Sequence, residues 1–62
     1  MQGLYTNNKT GHIYSVLFSD VTNTTNEEDG KLMVVYMDRH GRIFTREYRE
    51  FAEKFTKYVQ GF

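Results

Sequence analysis

The 62-residue chain contains no cysteine and no proline, and its formal net charge is zero. Without cysteine, no disulfide or thiolate-bound metal can supplement the core. A chain this short buries only about 60% of the surface its unfolded form exposes. A domain with neither staple needs dense packing or a partner. The lack of cysteine also fits a reducing, cytoplasmic setting. Charge balance argues against strong general affinity for nucleic acid or anionic membranes. No apolar run approaches the roughly 20 residues of a transmembrane helix. Residues 1–8 lack a basic region followed by an apolar core, so no export signal is expected. The sequons at Asn8-Lys9-Thr10 and Asn23-Thr24-Thr25 then read as chance matches. With no internal repeat and no linker, one domain over residues 1–62 is expected.

What the chain does have is aromatic mass: five tyrosines and five phenylalanines, each able to bury a large area. Its charge is also uneven. Lys31, Arg39, Arg42, Arg46 and Arg49 face only Asp38 and Glu47 within residues 31–49. A modest positive patch is expected there.

Leu4-Tyr5-Thr6 suits a short strand, followed by turn chemistry at Asn7-Asn8-Lys9-Thr10-Gly11. Residues 12–21 are rich in β-branched and aromatic types and read as a second strand. Alternation assigns Tyr14, Val16 and Phe18 to one face, Ile13 and Leu17 to the other. Residues 22–30 are wholly polar and read as a mobile, dispensable loop. Its acidic residues, Glu27, Glu28 and Asp29, are adjacent rather than alternately spaced, which excludes EF-hand ligand geometry. Residues 32–37 are apolar throughout, as in a strand with no water-facing polar side. Asp38-Arg39-His40-Gly41 closes a hairpin, with Gly41 supplying positive φ. Residues 42–46 form the return strand, in which Arg42, Phe44 and Arg46 share a face and Tyr36 lies near Phe44. From about residue 47, Tyr48, Phe51, Ala52, Phe55, Tyr58 and Val59 recur at helical spacing. This predicts a C-terminal helix over about 47–59, with Gly61 as its stop.

The segments Lys9-Thr10-Gly11, Tyr14-Ser15-Val16-Leu17, Leu32-Met33-Val34-Val35-Tyr36 and Phe44-Thr45-Arg46-Glu47-Tyr48-Arg49-Glu50-Phe51 resemble a small bacterial and phage family of unknown function. That family shares a Lys-Gly-x-x-Tyr-x-Val-Leu start, a Leu-Val-Val-Tyr strand and an aromatic-Val-Arg-Pro-x-x-x-Phe end. Here Glu47 replaces the proline, and Thr10 separates Lys9 from Gly11. The resemblance implies a strongly bent SH3-like β-barrel with a helical turn at its end, and no activity.

Catalysis needs a nucleophile, a base and an orienting partner that converge. The two histidines, His12 and His40, sit at a strand start and a hairpin tip, where solvated side chains are the rule. No His-x-x-x-His spacing, Gly-rich phosphate loop or Gly-x-Ser-x-Gly is present. Neither an enzyme, a metal site nor a cofactor is expected. Both faces of strands 13–18 and 32–37 carry large apolar side chains, more than one barrel interior and one helix would cover. Leftover apolar patches mark interfaces, and Met33 and Met37 suit an adaptable contact.

The expected protein is a mostly β (β-rich α+β) domain: a small SH3-like barrel of four to five antiparallel strands with a C-terminal helix. Its expected role is that of a cytoplasmic protein-binding module, a phage-encoded modulator of a host protein. A second copy of the chain is one candidate partner, and no membrane partner is expected. The candidate contact residues are Tyr36, Arg42, Phe44 and Arg46, aromatic anchors edged by arginines. The alternative is a weak single-stranded nucleic-acid binder using the same residues. The bland reading is that Phe44 is core and the arginines lie over the sheet or pair with Glu47 or Glu50.

Overall fold

A computed structural model describes residues 2–22 and 31–59. The expected loop tip and the proposed helix stop at Gly61 lie outside them. The fold is mostly β. Strands β1 (Gly3–Asn7), β2 (Ile13–Thr22), β3 (Leu32–Met37) and β4 (Ile43–Glu47) run in order, then helix α1 (Tyr48–Lys54) and strand β5 (Phe55–Lys57). One antiparallel sheet holds all five strands in the order β4-β3-β2-β1-β5. The chain thus meanders through four strands and returns with the fifth to the far edge. β4 and β5 are the two edges and do not pair, so the expected barrel is not closed.

The turns follow the sequence chemistry. Asn7 Oδ1 accepts the backbone N–H groups of Lys9 and Thr10, at 2.9 and 3.1 Å. Gly11 then takes φ 77°, a region costly for residues with a Cβ. In the β3–β4 hairpin Gly41 takes φ 85°, and its N–H donates to the Asp38 carbonyl at 3.2 Å.

The helix is shorter than its periodicity suggests. It spans 7 residues, Tyr48–Lys54, and Phe55 is already extended, with φ −128° and ψ 148°. The expected C-terminal helix is present but ends at Lys54 instead of running to about 59, and the short strand β5 follows it. The cause is competition from β1. Asn8 donates its backbone N–H to the Lys54 carbonyl (2.9 Å) and its side-chain amide to the Glu53 carbonyl (3.3 Å). Those are carbonyls a continuing helix would bond internally. Residues 55–57 gain ladder pairing with Asn7, Thr6 and Tyr5 instead. Among them, the Thr56 hydroxyl reaches Asn8 Oδ1 at 2.5 Å.

One face of the sheet, here the packed face, is covered by α1. Val16, Val34, Tyr36, Phe51 and Phe55 are buried there, with Tyr5 and Tyr14 against them. Tyr36 is the hub, with its ring centroid 5.1–5.6 Å from those of Tyr14, Phe44, Phe51 and Phe55. The edge-to-face contacts among these rings add to what burial alone supplies.

Two register shifts interrupt β2, between Val16 and Phe18 and between Phe18 and Val21. Each inserts an extra residue opposite β3, as a β-bulge does. Val16 opposes Tyr36 on the packed face, but Phe18 opposes Val35 on the other. Simple alternation had grouped Phe18 with Tyr14 and Val16. The bulge moves it to the opposite, open face.

Candidate binding surface

The hairpin β3–β4 places the four expected contact residues on the packed face, but it does not leave them equally accessible. Tyr36 pairs with Phe44 across the ladder, and their rings stack at 5.6 Å. Tyr36 is only 5% exposed and belongs to the core, whereas Phe44 is 37% exposed. Arg46 is also committed internally. Its Nε donates to the Tyr36 hydroxyl at 3.3 Å, and Nη1 pairs with Glu50 at 2.7 Å. The bond to Tyr36, then the Glu50 carboxylate, outweigh partial burial and raise the guanidinium above its already high pKa. The pairing with Glu50 is one the sequence allows. What stays open of the group is Phe44, with the Arg42 guanidinium 6.0 Å from its ring centroid.

Arg42 is tied to a residue that sequence reading did not single out. Asp38 is 9% exposed at the start of the β3–β4 turn. Its Oδ1 accepts the backbone N–H groups of His40 and Arg42, each at 2.9 Å, and its Oδ2 accepts Arg42 Nε at 2.8 Å. Burial by itself pushes this carboxyl up. The Arg42 amide, the Arg42 guanidinium and the His40 amide outweigh it and hold the carboxyl below its ordinary value. The signal for this in the sequence is an aspartate opening a tight turn that ends in glycine.

The open face carries further exposed apolar side chains. Three cross-strand rows run over it. Leu4, Ser15, Met37 and Ile43 form the first. Phe18, Val35 and Thr45 form the second, and Val21, Met33 and Glu47 the third. Phe18 is 58% exposed and Ile43 55%. No described element packs over these rows: α1 makes its neighbours in β3, β4 and β5 on the other face. This is the surplus apolar surface the two-sided strands imply, and Met37 lies on it.

At one end of the open face, between the β1–β2 and β3–β4 turns, lies a cleft of about 580 Å³. Its apolar walls are Leu4, Ile13 and Met37, and Ser15 sits between Leu4 and Met37 in the first row. A small side chain between two large ones leaves the depression. His12 and Arg39 also line it, with Asp38 as the lining carboxylate. Among the described residues no group of three or more His, Cys, Asp or Glu side chains converges as a metal site would require. No described helix is long and apolar enough to cross a membrane. Comparison with protein-family models, curated proteins and solved structures finds no match to this chain.

Proposed function

We propose that this protein is a small non-enzymatic protein-binding module whose contact surface is the open face of its sheet. The carrying observation is that Leu4, Ile13, Phe18 and Ile43 stand exposed on one face while the helix occupies the other. Apolar patches of this kind on a small domain usually serve association. The finer form of the proposal is action in the cytoplasm, drawn from the lack of cysteine, as a phage product that modulates a host protein, drawn from small size and the family resemblance.

The test compares the protein with its Phe18→Ser/Ile43→Thr variant as immobilised baits in nuclease-treated lysate. The expected result is a defined protein retained by the first and lost by the second, while circular dichroism and the thermal midpoint are unchanged. Equal retention by both overturns the reading. Sedimentation over a concentration series identifies a second copy of the chain as the occupant, if self-association is lost in the same variant.

The second reading, single-stranded nucleic-acid binding, draws on the exposed Phe44 ring beside Arg42. Aromatic rings next to basic side chains are what such barrels use. It is the weaker reading, because Tyr36 and Arg46 are internally engaged and the chain carries no net positive charge. Retention on an oligonucleotide column that falls with salt and with Phe44→Ala favours it.

A further inference from the structure

We propose that the cleft between the two turns holds an acidic peptide segment of the partner, with one large apolar side chain seated over Ser15 and carboxylates against the cationic rim. This rests on the protein-binding reading and names the chemistry of its occupant.

Shape is the first argument. The cleft is open to solvent, and its volume of about 580 Å³ leaves room for a side chain and its flanking backbone. Leu4, Ile13 and Met37 offer an apolar wall, and the pairing of Leu4 with Ser15 and of Ser15 with Met37 sets the depression on paired strands rather than on a loop. Ser15 leaves room where a strand of this composition would otherwise place a branched or aromatic side chain.

Charge is the second. The two turns bring the cations Lys9 and Arg39 to this end of the molecule, Arg39 as a lining residue of the cleft, while Arg42 is offset by Asp38. The carboxylate that lines the cleft, Asp38, is consumed by three hydrogen bonds, one from the Arg42 guanidinium. It presents no free negative charge to repel an anionic guest, and Arg39 pairs with no described carboxylate. The rim therefore complements an acidic segment, and such complementarity guides both encounter and register. A nucleic acid fits less well. The walls are aliphatic, whereas bases need aromatic platforms, and the Tyr14 ring lies among Tyr36 and Phe55 on the packed face.

The test uses the amide spectrum of the isotope-labelled protein, titrated to millimolar concentration with four probes. They are Ac-Asp-Glu-Leu-Phe-Asp-Glu-NH2, the same peptide with alanines for Leu-Phe, the same with lysines for its acids, and oligo-dT. The first is expected to shift amides in residues 11–15 and 37–41. The alanine peptide is expected to shift none, and the lysine peptide to bind on the order of tenfold more weakly. Ser15→Leu fills the depression and is expected to abolish the shifts. Should that variant fail to fold, Arg39→Glu in the exposed turn is expected to weaken binding about tenfold with the sheet intact. Absence of shifts in these segments, or equal shifts from the lysine peptide, overturns the proposal. Larger shifts from oligo-dT reassign the cleft to nucleic acid and overturn it too. Loss of a lysate partner in Phe18→Ser/Ile43→Thr alongside a silent cleft leaves the module reading standing and removes only this occupant.

Discussion

Phe51 and Phe55 stack face to face, with ring centroids 4.1 Å apart and planes within 5°, although one is helical and the other opens a strand. Four residues apart, they would stand in line on a helix in any case. The contact survives the change of structure because both side chains enter the same core beneath Tyr36.

Phe51 is fully buried and Phe55 is 5% exposed. Truncating either to alanine is expected to cost about 3–5 kcal/mol. That is most of the stability expected of a domain this small. Denaturant unfolding of both single variants and the double variant measures it. The two losses should not add, because the rings share one contact worth roughly 0.5–1.5 kcal/mol beyond burial.

Asp38 makes stability depend on acid. Its carboxyl titrates below its unfolded value, so its contribution is present above that value, about pH 3.9, and is lost as pH falls through the lower folded one. Asp38→Asn is expected to lower the thermal midpoint at neutral pH and to flatten its decline on acidification. Thermal melts over a pH series read both effects; an equally steep decline in the variant would assign the acid sensitivity to other carboxyls.

The arginines of the β3–β4 hairpin support the fold before any partner arrives. Arg46→Glu sets a carboxylate beside Glu50 and takes the donor from the Tyr36 hydroxyl. Its expected cost is about 1–2 kcal/mol, with Tyr36→Phe costing about 1 kcal/mol. Arg42→Glu faces Asp38 directly and should also destabilise. Urea midpoints of the three variants check this. Unchanged midpoints would return both arginines to the pool of free contact residues.

Gly41 has φ 85°, and a Cβ built there meets nothing within 4 Å. The cost of Gly41→Ala is therefore conformational alone, about 1–2 kcal/mol, and Gly41→Asn should cost less because asparagine tolerates this region. Equilibrium unfolding of the pair separates backbone strain from crowding.

Much of the β3–β4 hairpin is legible in the sequence. The apolar run, the Asp-to-Gly turn and the placement of Tyr36 beside Phe44 follow from strand alternation and turn chemistry. The end of the helix is not legible, because Phe51, Phe55 and Tyr58 keep helical spacing whether or not the helix continues. The decision lies with Asn8 and the β1 ladder, some 45 residues upstream. The face of Phe18 is hidden for a related reason: a bulge reverses alternation without a local signature. Of the candidate site, the residue types were readable but their accessibility was not. Tyr36 looks like an anchor by type and is a core hub by position.

The pairing of β1 with β5 has a consequence in time. Thr6 and Thr56 meet across 50 residues of chain, whereas the β1–β2 and β3–β4 hairpins each close over five, 8–12 and 38–42. Loop-closure entropy makes that ladder the late, slow event. In refolding the local hairpins pair first, and until the ladder closes Tyr36 lacks the covering ring of Phe55. The refolding chain thus exposes both sheet faces at once until its final strand docks, an interval in which a chaperone has more to hold than the finished protein ever shows.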